Sequence, residues 1–178
     1  MSLSPFARRL AGAAAAVCCI GSAFAQNIPV PRYEDDTKPE ITVPLPAFPK
    51  PENLLRFPTS WTGNQVFIDT ASLVFGDGET LSYTLLVRSS GGAENLSFES
   101  LRCISGERQV LAYGRRDGTW SPARSGKWIG ITDGGINRYY YEFWKDVFCS
   151  GKTLEPRRAV IDNIRRGGRE HPFDMPSD

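Results

Sequence analysis

Four carboxylates in the middle of the chain, Asp69, Glu94, Glu99 and Asp117, are the residues best suited to do chemistry. Two carboxyl groups about 5 to 10 Å apart can hydrolyse a glycosidic bond, one as acid and the other as base or nucleophile. Arg88, Arg102 and Arg115 lie among them, so structural ion pairing competes for the same groups. Glu99 alternates with Leu101 and Cys103, which places it on a partly buried strand face, and a buried carboxylate needs a partner. Arg88 or Arg115 on a neighbouring strand is the expected partner, the pair fixing strand register. The single histidine, His171, stands beside Pro172 in a polar tail with nothing to orient it. The sequence carries no Ser or Cys nucleophile motif, phosphate-cradling Gly loop or Cys/His metal cluster, so no catalytic residue, metal site or cofactor is assigned.

Residues suited to binding are more numerous. Trp61, Trp120, Trp128 and Trp144, with Tyr113, Tyr139, Tyr140 and Tyr141, can stack sugars or line a groove, although a core claims such rings first. Trp120 follows the turn Asp117-Gly118 and stands close to two arginines, so Arg115, Arg116, Asp117 and Trp120 form the candidate ligand or partner site. A second candidate is the basic run Arg157, Arg158, Arg165 and Arg166, with Arg169 behind it, which suits lipid A, phospholipid headgroups or an acidic partner. The plainer reading of that run is a solvated helix face.

The address is read from the start of the chain. Met1 to Arg9 ends in two arginines, Leu10 to Phe24 is apolar and small throughout, and Ala23-Phe24-Ala25 completes a cleavage pattern. These are the parts of a signal peptide over residues 1–25, with Gln26 the first mature residue. An apolar run of about 15 residues is too short to span a bilayer. Lipidation at Cys18 or Cys19 would need a Leu and small-residue pattern that does not precede either cysteine. Removing residues 1–25 from the 178 leaves 153, enough for one domain, with no further apolar segment of membrane-spanning length. Cleavage also takes Arg8 and Arg9 from the 21 cationic residues, leaving 19 against 20 acidic ones, a balance that argues against a nucleic-acid binder. The expected location is periplasmic or outer-membrane-associated, and the expected partner another envelope protein or outer-membrane component. Cys18 and Cys19 leave with the signal, so Cys103 and Cys149 form the one possible intramolecular disulfide in an oxidising compartment.

Residues 26–52 are rich in proline and read as a flexible tether, with Val43 to Phe57 free to lie as an extended apron over a domain spanning 53–168. Residues 169–178 read as a loose tail. Strands are predicted at Val66 to Asp69, continuing past a kink at Thr70-Ala71 into Ser72 to Phe75, and at Leu81 to Arg88, Asn95 to Cys103 and Gln109 to Arg115. Asp77-Gly78, Ser89 to Gly92, Ser105-Gly106 and Asp117-Gly118 turn the chain between strands, and no helical period intervenes. An antiparallel meander of five or six strands follows, with Leu81, Tyr83, Leu85 and Val87 on its core face. After Trp128 the period changes: Ile136, Tyr140, Phe143, Trp144 and Val147 fall on one helical stripe that ends near Cys149, with Asp133 as a possible cap. A shorter helix from Pro156 to Arg166 stops at Gly167. The fold class is α+β, a single antiparallel sheet with a C-terminal helix packed on one face and a strand-to-helix disulfide, Cys103 to Cys149.

Asn53 to Phe57, Phe67-Ile68-Asp69 leading to Ser72-Leu73, Leu85 to Cys103, Tyr113-Gly114-Arg115, Asp117 to Trp120, Trp128 and the helix ending at Cys149 are shared motifs. On them the stretch from about Asn53 to Gly168 resembles the cryptic neisserial protein-like family, secreted proteins of Gram-negative bacteria. That resemblance implies secretion and lends no activity. A more distant likeness to surface adhesin E rests on Phe67-Ile68-Asp69, Ser72, Leu81 to Val87, Cys103, Trp128 and Cys149, and implies a sheet backed by a C-terminal helix. The sequence therefore predicts a secreted, non-enzymatic binding or assembly module of the envelope. An envelope hydrolase with paired carboxylates and a surface adhesin are the alternatives. A groove holding two carboxylates would favour the hydrolase, and a face of aromatics and arginine the binding module.

Overall fold

Hairpin turns set the architecture. A computed structural model of the chain describes residues 43–59 and 63–169. The expected signal peptide, the tether as far as residue 42, Trp61 and the tail that carries His171 lie outside the described residues. Strands β1 (Leu54–Phe57), β2 (Gln65–Gly76), β3 (Thr80–Arg88), β4 (Glu94–Arg102), β5 (Glu107–Gly114) and β6 (Trp120–Pro122) follow one another in an antiparallel meander. A two-residue strand, β7 (Ile129–Gly130), pairs with the start of β5, while β6 pairs with its end. At the β2–β3 turn Gly78 and Glu79 both adopt left-handed backbone, φ 64 and 57. Such a conformation is unfavourable for glutamate, and two bonds hold it there: the Glu79 carbonyl accepts from Cys103 N at 2.9 Å, and its carboxylate from Leu154 N.

The kink expected at Thr70-Ala71 is a bulge between Asp69 and Val74. The Asp69 carboxylate accepts the Ala71 N–H at 3.0 Å, and Ser72 Oγ donates to Asp69 O and accepts from Thr84 N, both at 2.8 Å. Two side chains thus replace ladder bonds that the bulge removes.

One sheet face carries the main core. Val66, Ile68, Leu81, Tyr83, Leu85 and Leu101 are buried there against Phe143, Val147, Phe148, Val160 and Ile164 of the helical layer. That layer begins at α1 (Tyr139–Glu142), runs into a π-helical turn (Phe143–Phe148), passes through the small hairpin β8 (Cys149–Ser150) and β9 (Thr153–Leu154), and ends in α2 (Arg157–Arg166). The predicted stripe needs one correction: Ile136 precedes the helix and is 71% exposed. Gly134 and Gly135 at positive φ (146 and 73) keep the chain out of helix until Tyr139. The wider π turn then brings Phe143, Val147 and Phe148 to the same side, a spacing of four and five that an α-helix would splay. Asp133 does not cap the helix; it sits 3.6 Å from the Arg138 guanidinium, and Arg138 occupies the cap position. The short helix stops as read, at Gly167 with φ 83.

Cys103, just past β4, and Cys149, at the end of the π turn, are bonded with Cα atoms 5.6 Å apart, so the disulfide bolts the helical layer to the sheet. On the opposite face a smaller core of Phe98, Leu111 and Ala112 is covered by Val43 and Trp120. The Trp120 indole N–H donates to Pro46 O at 2.9 Å and its ring packs on Phe48, so the segment from Val43 lies along that face before Leu54–Phe57 joins the sheet as an edge strand. Among the described residues no helix is long and apolar enough to cross a membrane.

Candidate functional site

Alternation along β4 sends Glu99 toward the helical layer with Leu101, and register puts Tyr83 of β3 directly across from it. Glu99 is 2% exposed. Its Oε1 accepts from Ser97 Oγ at 2.6 Å and from the Tyr140 hydroxyl of α1 at 2.9 Å. Its Oε2 lies 3.7 Å from Arg108 Nη1 of β5, and no hydrogen bond closes on it. The Arg108 guanidinium in turn lies over the Tyr140 ring, Cζ 3.9 Å from the centroid. Tyr83 Oη is also buried; it is close enough to feel the carboxylate but forms no hydrogen bond of good geometry.

Burial holds the Glu99 carboxyl above the ordinary glutamate value, against the opposing pull of Arg108, Ser97, Tyr140 and Tyr83. Burial likewise pushes the Tyr83, Tyr139 and Tyr140 hydroxyls up, with the Glu99 charge adding to it. These phenols stay protonated, and those of Tyr139 and Tyr140 donate, to Asn137 Oδ1 and Glu99 Oε1.

This cluster floors a groove between the sheet and the chain that leads into α1. One cavity of about 480 Å³ runs over Val110 and Tyr113 toward the start of β4, and a second of about 320 Å³ runs under Ile129 and Ile131. Arg108, Ile136, Asn137 and Tyr140 line both.

The expectations for Glu99 divide. It is buried and ion-paired, but its partner is Arg108 rather than Arg88 or Arg115. Arg88 is bound to Glu94, Nη2 to Oε1 at 2.7 Å, and Arg115 donates to Ser121 Oγ at 3.0 Å. The signal for Arg108 was present in the hairpin: a turn at Ser105-Gly106 sets Leu101 opposite Arg108, which makes Arg108 the diagonal neighbour of Glu99.

The four carboxylates do not converge. Glu94 and Glu99 are five residues apart on one strand, about 16 Å. Asp69 pairs in register with Thr84, which pairs with Phe98, and so faces the opposite side from Glu99. Asp117 lies in an exposed turn, where bonds from Thr119 Oγ1 (2.6 Å) and Thr119 N (3.0 Å) hold its carboxyl below the usual range.

Of Arg115, Arg116, Asp117 and Trp120, the two arginines line a cavity that the other two do not. Arg115 and Arg116 edge a cavity of about 440 Å³ on the outer face, beside Phe48 and Leu96. Trp120 is half-buried and taken up by Pro46, Phe48 and Phe98. Of the basic run, Arg157 donates to Leu73 O at 2.6 Å and lies over Phe75, while Arg166 donates to Asn163 Oδ1 at 2.8 Å. Arg158 and Arg165 share Asp162, and Arg169 bonds the Lys145 and Cys149 carbonyls. Among the described residues no group of three or more His, Cys, Asp or Glu is arranged to hold a metal ion.

A family model described as the CNP1-like family matches residues 33–165. No curated protein and no solved structure matches the chain.

Proposed function

The chain belongs to the CNP1-like family, and from that premise we propose that it is a secreted, non-enzymatic binding module of the bacterial envelope, periplasmic or outer-membrane-associated, that takes its ligand or partner in the groove at Arg108. The observation that carries this reading is the groove itself. The helical layer that carries Tyr140 is bolted to the sheet by a disulfide at its other end, and the groove floor presents a stacked arginine and tyrosines in place of a carboxylate pair. Side chains locked by packing and cross-linking keep a concave site open without a ligand, which lowers the ordering cost of association. The hydrolase alternative asks for two carboxyl groups within about 10 Å, and the Glu94–Glu99 spacing along β4 exceeds that.

Fractionation combined with site-specific photocrosslinking in living cells tests the proposal. A photoreactive residue replacing Tyr113, 52% exposed at the groove rim, is expected to give a discrete adduct in the envelope fraction. One replacing exposed Lys152 on the β8–β9 turn is expected to give none. Cytoplasmic retention of the protein, or equal labelling from the two positions, would overturn it.

A further inference from the structure

Resting on that groove reading, we infer that Arg108 is the anchor for the carboxylate of an apolar ligand, bound with its acid group on the guanidinium and its hydrocarbon along Ile129 and Ile136.

The guanidinium is held but unspent. Stacking on Tyr140 occupies one of its flat sides and fixes its plane, leaving the N–H donors at its edge directed in that plane. Its ion-pair contact with Glu99, at 3.7 Å, is beyond hydrogen-bond length, and among the described residues the guanidinium donates no hydrogen bond. Its side chain is 20% exposed and borders both cavities. Half-buried polar groups are normally paired, so donors left open at the junction of two cavities mark a place for an acceptor.

The surroundings choose the acceptor. Glu99, fully buried behind the guanidinium, already brings negative charge next to it, so a phosphate dianion would sit beside a carboxylate with one cation to share. A carboxylate monoanion adds half the charge of a phosphate dianion to a guanidinium that Glu99 already shares, and it matches the guanidinium edge with two parallel N–H···O bonds. Glu94, at the far end of the larger cavity, is neutralised by Arg88. The remaining wall near Arg108 mixes Asn137 and Thr132 with an apolar stretch: Ile131 and Val110 are half-buried, and Ile129 and Ile136 expose 54% and 71% of their surface beside it. Exposed branched side chains around a cation suit an acid whose neighbouring group is hydrocarbon, either a free apolar acid or the C-terminus of a peptide.

Side-chain NMR of the mature protein tests this, with the Arg108 Nε–H and the Ile136 methyls as probes. N-acetyl-leucine is expected to shift both signals, and N-acetyl-leucinamide, which lacks only the acid, to bind at least about tenfold more weakly. Arg108→Lys keeps the charge without the flat fork and is expected to weaken the acid about tenfold. Ile136→Ser, at a solvent-exposed position, is expected to weaken it without any change in thermal unfolding. The peptide acid acetyl-Ala-Ala-Leu separates the sources: tighter binding than N-acetyl-leucine assigns the groove to a chain terminus, and equal binding to a free acid. Equal binding of acid and amide, or no shift at Arg108, overturns the inference. Should that happen while Tyr113 still crosslinks specifically in the envelope, the acid specificity falls and the module reading stands; loss of both removes the groove as a site.

Discussion

Breaking the Cys103–Cys149 bond tests how the molecule keeps its helical layer on the sheet. The two residues are 46 apart in sequence, and closing a loop of that length removes unfolded-state entropy worth about 4 kcal/mol at 25 °C. Domains of this size are stable by roughly 5 to 15 kcal/mol, so the bond carries a large share. Both sulfurs are fully buried, and the Cys103→Ala/Cys149→Ala variant therefore loses packing as well as the cross-link. Wild-type protein reduced with dithiothreitol loses only the cross-link, and the difference between the two isolates the packing contribution. Urea unfolding followed by tryptophan fluorescence is the assay. With a slope near 2 kcal/mol per molar urea, the reduced protein is expected to show a midpoint about 2 M lower. A fall of less than about 1 kcal/mol in reduced protein would refute the loop-entropy reasoning. A loss confined to the alanine variant would show that the sulfurs matter as packing rather than as a bond.

Glu99 predicts a pH dependence. Burial raises its folded-state value above the ordinary 4.5, so the folded protein binds the proton more tightly than the unfolded chain does. Its stabilising contribution is complete below the unfolded value and is lost as pH rises through the folded one. Urea midpoints of wild type and Glu99→Gln are accordingly expected to stay parallel in acid and then diverge in favour of the variant as pH rises above the ordinary 4.5. Parallel curves throughout would mean that Arg108 compensates the buried charge in full. Gly114→Ala is expected to destabilise by about 1 to 3 kcal/mol, because overpacking forces neighbours to move. The added Cβ would lie 2.9 Å from Leu96 Cβ, which no rotamer change can clear, and an unchanged melting temperature would contradict the close β4–β5 approach.

The meander was legible because its signals are local. Asp77-Gly78, Ser105-Gly106 and Asp117-Gly118 each bend the chain where they stand, and alternation from Leu81 to Val87 needs only a neighbouring strand to make it a core face. The disulfide was equally legible, by elimination among four cysteines. β1 was harder to see: Leu54–Phe57 is a short run between prolines, and pairing with β2 makes it a strand. The helix starting at Tyr139 and widening into a π turn depends on what it covers, since only the sheet beneath requires Phe143, Val147 and Phe148 to point the same way.

The amino-acid sequence by itself determined the order of elements, the buried face of β3 and the burial of Glu99, because each follows from side chains a few residues apart. Tertiary structure alone decided that Glu99 would lean on Tyr140 and that a groove would open at Arg108. Those outcomes depend on where a helical layer 40 residues downstream lands on the sheet. Long-range packing sets that position, and no spacing within a single strand encodes it.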